Sequence, residues 1–201
     1  VHTLLARRGL RTRRDAVAFL DHANATLPDP ALLPDLDLAV ERISRAVVGG
    51  ERIAIFGDYY VDGITSAAIM WHALRHDVAN SDDLFVRLPT RDEGYGLSAA
   101  PLHEIAEAGA TLLIAVDCAS TDERGISIAR SLGLDVVIID HHHMTNTGPT
   151  GAVTISPARP DGGDYREMAA AGLALLVASA LERHPAFAQF REAGGATALV
   201  D

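Results

Sequence analysis

The stretch Val136-Val137-Ile138-Ile139-Asp140-His141-His142-His143 runs four β-branched apolar residues directly into one carboxylate and three imidazoles. A short, continuous apolar run of this kind is typical of a strand that is buried on both faces of a parallel sheet. In an open α/β sheet, ligands bind in the crevice beyond the carboxyl ends of the strands. The polar residues after this strand therefore occupy the position where a functional site is expected.

Two other stretches have the same form. Ile53-Ala54-Ile55-Phe56 leads into Gly57-Asp58-Tyr59-Tyr60-Val61-Asp62-Gly63, and Leu112-Leu113-Ile114-Ala115-Val116 leads into Asp117-Cys118. A single aspartate at a strand end is more often a turn or capping residue, but three such strands with a histidine cluster favour a metal site. Imidazole and carboxylate together suit manganese, iron or zinc, whereas an all-oxygen set suits magnesium or calcium.

The order of strand-like and helix-like segments predicts the fold. Short apolar runs at 84–88 and 152–155 add two strands, and helical periodicity covers 35–48, 64–74, 99–108, 122–132 and 168–181. Strands that alternate with helices form parallel sheets covered by helices. We therefore expect an α/β fold with a doubly wound, mainly parallel five-stranded sheet and helices on both faces.

Bulk composition limits the classes of protein that the chain can belong to. It has 201 residues, one cysteine and a net charge of −10, from 27 acidic and 17 basic side chains. The single cysteine excludes an internal disulfide and fits a reducing cytoplasm, and no apolar run approaches the roughly 20 residues that span a bilayer. We expect a helical extension over 1–27, with a helix at 12–24, and one domain over 28–201 of a longer protein.

The negative charge argues against a broad electrostatic footprint on nucleic acid, because such binding rests on neutralising phosphates. A nucleic-acid substrate would need a local basic surface. Arg91 and Arg159 lie in loops rich in glycine or proline, where a planar guanidinium can bind phosphate with two hydrogen bonds. They are the candidate substrate-binding residues, with a plain surface arginine as the alternative for each.

The three strand-end motifs resemble the signature of the DHH phosphoesterase superfamily. More narrowly, the chain is similar over about residues 28–181 to the RecJ-type single-strand-specific exonucleases. The similarity includes Arg91-Asp92-Glu93-Gly94-Tyr95-Gly96-Leu97, Pro157-Ala158-Arg159-Pro160-Asp161 and Leu33-Pro34-Asp35. The resemblance implies a parallel sheet with flanking helices, a second domain beyond residue 201 that helps to grip nucleic acid, and 5′ to 3′ hydrolysis of single-stranded DNA in repair and recombination.

The resemblance also implies roles for the site residues. One or two divalent ions, typically Mn²⁺ with Mg²⁺ as the alternative, activate water for attack on a phosphodiester and stabilise the departing oxygen. By position in the motifs, the metal ligands are Asp62, Asp117 and His141. The remaining catalytic residues are Asp58 and Asp140, as ligands or as carboxylates that orient the histidines, and His142, which contacts metal or phosphate.

The chain departs from the family pattern in ways that bear on function. Tyr60 stands at the middle aspartate of the family's first motif, Ala119 stands where glycine is usual, and Asp201 is the candidate start of the last motif. A phenol is a poor substitute for a carboxylate at a manganese site.

Two hypotheses are therefore open: a manganese-dependent exonuclease, or a degenerate RecJ-like module that binds nucleic acid or serves as a scaffold. A Tyr60 ring turned into the site would favour the second. Within the first, oligoribonucleotides, cyclic dinucleotides and pyrophosphate are rival substrates to DNA.

Overall fold

One five-stranded parallel sheet forms the centre of the molecule. The computed structural model describes residues 2–21, 29–162 and 168–200. The strands are β1 (Ile53–Gly57), β2 (Leu84–Arg87), β3 (Leu112–Val116), β4 (Asp135–Ile139) and β5 (Ala152–Ile155), in the order β2-β1-β3-β4-β5. Every neighbouring pair is parallel. The order reverses at β1, so the crevice beyond the carboxyl ends of β1 and β3 is the expected ligand position.

Helices cover both faces of this sheet, as the sequence predicted. The helices are α1 (His2–Arg7), α2 (Arg13–Leu20), α3 (Leu36–Gly49), α4 (Val61–Leu74), α5 (Ala99–Glu107), α6 (Glu123–Ser131), α7 (Ala170–Glu182) and α8 (Ala188–Glu192). Helices α3, α4 and α7 pack on one face, over side chains such as Ile55 and Ile114. Helices α5 and α6 pack on the other face, over Phe56 and Ile138. The alternation of neighbouring strand residues between two cores explains why β1 and β3 are apolar throughout.

The observed elements differ from the predicted ones mainly at the start of α4. We expected a helix from residue 64 after an acidic loop, but α4 begins at Val61, so Asp62 and Gly63 lie in its first turn. Tyr60 is the N-cap residue, with extended backbone angles and no capping hydrogen bond from its side chain. The apolar periodicity is visible only from Ile64, because the first turn carries Asp62 and Gly63 instead of large apolar core residues.

At the amino-terminal end, α2 begins after Thr12, whose hydroxyl caps the backbone N–H of Asp15. Helix α1 precedes it within the predicted helical extension. The predicted end of this helix at Asn24, the domain boundary at 27/28 and Asp201 lie outside the described residues. Within the described residues, no helix combines the length and apolar character that crossing a membrane requires.

Candidate metal centre

Asp117 lies at the centre of the candidate site, at the carboxyl end of β3. The residue is 4% exposed, and its backbone is in the left-handed region, with φ +58°. Aspartate tolerates this conformation better than most residues. Its buried Oδ1 has no hydrogen-bond partner among the residues that the structure describes. A buried carboxylate oxygen without a hydrogen-bond partner lowers the free energy of unfolding by roughly 1–3 kcal/mol or more. A bound cation at Oδ1 would offset this cost.

Two histidines after β4 face that oxygen. Nε2 of His141 lies 3.4 Å from Oδ1 of Asp117, and Nδ1 of His142 lies 3.9 Å from it. One ligand atom from each of these three residues lies within 4.8 Å of the other two. Oδ2 of Asp62 lies 3.5 Å from Nε2 of His141, so Asp62 borders this three-residue group on the side of α4.

Asp140 holds the two histidines in place. Its Oδ1 accepts hydrogen bonds from the backbone N–H of His141 at 2.7 Å and of His142 at 3.2 Å, and it pairs with Nδ1 of His142 at 2.7 Å. Its Oδ2 accepts from the backbone N–H of Ser120 at 3.1 Å. A histidine whose Nδ1–H is donated to a carboxylate has its other ring nitrogen available as a metal ligand.

Asp62 has a second set of contacts that the sequence did not reveal. Its two carboxylate oxygens accept hydrogen bonds from the backbone N–H groups of Ala170 and Ala171, at 2.9 and 2.8 Å. Ala169, the N-cap residue of α7, offers no side-chain cap. Asp62 therefore caps α7 from another helix and places its charge at the positive end of the α7 dipole.

Gly63 allows α4 to approach the end of β1. A Cβ atom on Gly63 would lie 2.5 Å from the backbone nitrogen and oxygen of Asp58. Asp58 is 3% exposed, and its Oδ1 accepts from the backbone N–H of Tyr59 at 2.6 Å. Asp58 is thus buried beneath the first turn of α4 and outside the three-residue group.

The Tyr60 side chain does not fill the metal site. It is 54% exposed, and its ring packs against that of Tyr59 with centroids 4.7 Å apart. Cζ of Arg91 lies 5.6 Å from the Tyr59 ring centroid and 5.8 Å from that of Tyr60. The inward ring that would have favoured the non-catalytic hypothesis is therefore not observed.

Arg159 has a structural position, in contrast to our expectation of a phosphate-binding residue. The residue is 5% exposed, and its guanidinium donates to Asp161, to Asp35 and to the carbonyl oxygen of Thr154. These bonds tie the segment after β5 to the start of α3. Because the guanidinium N–H groups are engaged and the charge is neutralised by two carboxylates, Arg159 is not among the substrate ligands that we propose.

The loop that carries Arg91 is anchored from beneath. Glu93 pairs with Arg87 at the end of β2 and accepts from the backbone N–H of Thr90 at 2.6 Å. The hydrogen bond from Arg87 and that from Thr90 lower the pKa of Glu93 to about 2. This loop therefore presents Arg91 and Tyr95 from a fixed base.

Tyr95 and Ser120 also lie in the site, although we predicted no role for either residue from the sequence. The Tyr95 hydroxyl donates to the carbonyl oxygen of Asp117 at 3.2 Å and lies 3.3 Å from Nδ1 of His142. Tyr95, Ser120, Asp140 and His142 line one cavity beside the candidate ligands. The signal that could have found Tyr95 is its position in the Gly-rich loop that resembles the RecJ-type exonucleases.

The ionisation of the site follows from burial and neighbouring charge. Burial and the charge of Asp62 raise the pKa of Asp117 to about 6. Burial also pushes the pKa of Asp140 upward, but the hydrogen bonds from His142 and Ser120 outweigh it and hold that pKa below its ordinary value. The hydrogen bond to Asp140 raises the pKa of His142. Burial and Asp62 destabilise the negative charge of Asp117, which lies beside two imidazoles. A bound cation would stabilise that charge.

The donor set fits a divalent metal ion. Among the described residues Oδ1 of Asp117 has no hydrogen-bond partner, Nε2 of His141 lies 3.4 Å from it, and His142 offers a ring nitrogen to the same group. One oxygen and two nitrogens, with Asp140 orienting a histidine from behind, is the kind of set that binds manganese, iron or zinc. The structure therefore brings together Asp117, His141 and His142, with Asp62 at their edge.

Comparisons with known proteins identify the family of the chain. Residues 52–195 match the model of the DHH family, N-terminal domain. The single-stranded-DNA-specific exonuclease RecJ of Bacillus subtilis is 36% identical over 184 residues, which are 90% of this chain and 23% of the relative. The Dickeya dadantii protein of the same name is 32% identical over 95% of this chain and 32% of its own length. The chain thus spans about a quarter to a third of these curated relatives.

Solved structures give the same result. A crystal structure of exonuclease RecJ bound to manganese is 30% identical, with a TM-score of 0.66, and the match covers 75% of this chain and 38% of that one. RecJ from Thermus thermophilus in complex with Mn²⁺ is 26% identical, also with a TM-score of 0.66, over 94% of this chain and 24% of that one. The family match covers most of the chain, and the Asp-His-His motif that follows β4 lies in the candidate metal centre: the chain belongs to the DHH family and is similar to the RecJ exonucleases.

Proposed function

We propose that this chain is the metal-binding part of a phosphodiesterase that hydrolyses single-stranded DNA from the 5′ end, in DNA repair and recombination in the cytoplasm. The observation that carries the proposal is the unpartnered Oδ1 of Asp117 facing His141 and His142 at the carboxyl edge of the sheet. The substrate class is supported by relatives named as single-stranded-DNA-specific exonucleases. The organisation into a helical extension over 1–27 and a domain from residue 28 stays a prediction.

We assign the metal-binding roles to Asp117, His141 and His142, with Asp62 close enough to join them. Mn²⁺ is the proposed ion, because the nitrogen ligands suit it and because relatives have been solved with it; Mg²⁺ is the alternative. A divalent ion held there would make water acidic enough to supply a nucleophile near neutral pH and would offset charge on the phosphate.

The chain's own residues have four proposed tasks in this reaction. Asp140 fixes the tautomer and orientation of His142, and the cavity lined by Tyr95 and Ser120 is where a phosphate oxygen can be placed. Arg91, which lies over the rings of Tyr59 and Tyr60, supplies positive charge for a phosphate. The buried Asp58 sets the position of the first turn of α4 through its close contact with Gly63, so we propose a structural role for it in holding Asp62.

Hydrolysis of a generic phosphodiester, bis(4-nitrophenyl) phosphate, tests the chemistry without demanding a long nucleic-acid surface. We expect turnover in Mn²⁺ that stops in chelator and in the His141→Ala variant but continues in His143→Ala, whose exposed side chain lies outside the three-residue group. Absence of turnover in the natural chain at saturating Mn²⁺ contradicts the proposed chemistry.

Oligonucleotides labelled at either end test the substrate and polarity. We expect single-stranded DNA to be shortened from its 5′ end in Mn²⁺, with a duplex of the same sequence and a single-stranded RNA degraded more slowly. Release of the 3′ label first contradicts the proposed polarity, and equal cleavage of duplex and single strand contradicts the proposed substrate class.

A further inference from the structure

Three side chains form an exposed cluster beside the candidate metal centre that the metal chemistry does not use. We define the aromatic–arginine platform as Tyr59, Tyr60 and Arg91. The two rings are in contact, with centroids 4.7 Å apart and planes inclined at 46°. The guanidinium carbon lies 5.6 Å and 5.8 Å from the two ring centroids. Three flat, delocalised groups thus lie together at the carboxyl end of β1.

The platform is open to solvent on its outer side. Tyr60 is 54% exposed, Arg91 is exposed and Tyr59 is half-buried. A single exposed apolar side chain is ordinary on a protein surface, but here the exposed Tyr60 ring lies against a second ring and near an arginine. The side chain of Tyr60 makes no capping hydrogen bond to α4, so capping does not explain its position.

The backbone that carries the platform is held in place. The N–H of Tyr59 donates to Asp58, Tyr60 stands at the start of α4, and the loop of Arg91 is anchored by the pair of Glu93 with Arg87. Rigid aromatic groups lose little conformational entropy on binding, which favours a stacked ligand.

The chemistry of the platform matches one ligand class. Bases of unpaired nucleic acid stack on exposed aromatic rings and on arginine planes, and the positive charge of the arginine serves the adjoining phosphate. Duplex DNA does not offer its base faces in this way, because they are stacked on each other. Tyr60 is the N-cap residue of α4 and Asp62 lies in its first turn, so the platform and a proposed metal ligand are carried by the same end of this helix.

We propose that the aromatic–arginine platform stacks an unpaired base of the nucleic-acid strand, and that Tyr60 is the residue that makes this contact. This inference deepens the proposed function, on which it rests, since it assigns the base-contacting part of the same site. It also accounts for the departure from the family motif at position 60: the side chain placed there contacts the base instead of the metal.

The test compares two ligands that differ only in their bases. Hexathymidylate and an abasic hexamer carry the same number of phosphates, so their electrostatic binding is matched. Affinities of the chain are measured by fluorescence anisotropy in low salt with chelator present, so that binding does not depend on metal or hydrolysis. We expect hexathymidylate to bind at least roughly fivefold more tightly, since one stacked base contributes that much or more.

Variants at position 60 test whether Tyr60 causes the preference for hexathymidylate over the abasic hexamer. Tyr60→Ala should reduce the affinity ratio of the two hexamers towards one, whereas Tyr60→Phe, which keeps the ring, should preserve it. Both substitutions are at an exposed side chain, and circular dichroism of each variant verifies that it is folded. Equal affinity of the natural chain for the two hexamers, undetectable binding of hexathymidylate, or a Tyr60→Ala variant that keeps the preference overturns the proposal.

The two proposals fail separately. Turnover of the generic diester with no base preference leaves the metal chemistry standing and removes the platform. A base preference without Mn²⁺-dependent turnover leaves the platform standing and removes the proposed hydrolysis.

Discussion

Oδ2 of Asp62 accepts a hydrogen bond from the backbone N–H of Ala170, 108 residues further along the chain. The same carboxylate bonds the N–H of Ala171 through its other oxygen. Asp62 therefore joins the first turns of α4 and α7 while it borders the candidate metal centre. In the proposed function, Asp62 serves stability and metal binding together.

Loss of this cap should be measurable without metal. We expect Asp62→Ala to lower the free energy of unfolding by about 1–2 kcal/mol, because two backbone N–H groups at the start of α7 lose their acceptor. Asp62→Asn keeps one oxygen and should cost less. Urea unfolding in the presence of chelator measures both, with Asp82→Ala as a control that removes an exposed carboxylate. An unchanged stability of Asp62→Ala would show that the cap does not matter.

The loop after β3 offers a stabilising substitution. Ala119 has a φ of +77°, a left-handed conformation that costs a residue with a Cβ roughly 1 kcal/mol relative to glycine. We expect Ala119→Gly to raise the free energy of unfolding by about 0.5–1 kcal/mol, since relief of this strain exceeds the added freedom of the unfolded chain. Ala108→Gly, at a residue of ordinary φ just after α5, should destabilise instead. Thermal unfolding of the two variants compares the signs directly.

Position 60 separates helix capping from metal binding. Tyr60 is the N-cap residue of α4 but supplies no cap, so both Tyr60→Asp and Tyr60→Asn should stabilise the chain by roughly 1 kcal/mol. Only the aspartate variant adds a carboxylate at the position where the family motif has one. We expect calorimetry to give tighter Mn²⁺ binding for Tyr60→Asp than for Tyr60→Asn. Equal affinities would mean that residue 60 cannot reach the ion.

The raised pKa of Asp117, about 6, predicts the pH dependence of metal binding. Binding requires the carboxylate form, so Mn²⁺ affinity should fall as the pH drops from 7.5 to 5, and the raised pKa of His142 acts in the same direction. The stability of the metal-free chain depends on pH in the opposite direction. Because the folded pKa of Asp117 exceeds the unfolded value, its contribution to stability improves as the pH falls through 6.

A titration of Mn²⁺ at several pH values tests the first part of this prediction, and the Asp117→Asn variant tests the second. Without metal at pH 7, Asp117→Asn should be more stable than the natural chain by roughly 1–2 kcal/mol, since it removes a buried charge whose oxygen has no partner. An affinity that is independent of pH, or a destabilised Asp117→Asn variant, contradicts the assigned ionisation.

The sequence predicted the sheet well because the strands are short and mostly apolar, and β1 and β3 are apolar over their whole length. The runs before Asp58, Asp117 and Asp140 became β1, β3 and β4, and their carboxyl ends meet as the parallel arrangement requires. Local apolar runs determine the strands, and the right-handed crossover rule determines how they assemble. The proximity of Asp117 to His141 and His142 followed from this.

Long-range polar contacts could not be predicted in the same way. The cap that Asp62 provides for α7 and the pairing of Arg159 with Asp35 join residues more than 100 positions apart. Nothing in the local sequence distinguishes a buried, paired arginine from one that binds phosphate. The outward Tyr60 side chain lies against the Tyr59 ring and near Arg91. No local sequence pattern encodes the contact with Arg91.

The central claim is that Asp117, His141 and His142 bind a divalent metal ion, and calorimetric titration of Mn²⁺ tests it most directly. The matched variants are His141→Ala and His143→Ala, which remove neighbouring imidazoles of the same motif. We predict that the natural chain and His143→Ala bind alike and that His141→Ala loses at least about tenfold in affinity, as removal of a ligand or its support does. Equal Mn²⁺ affinity of His141→Ala and the natural chain would contradict the claim.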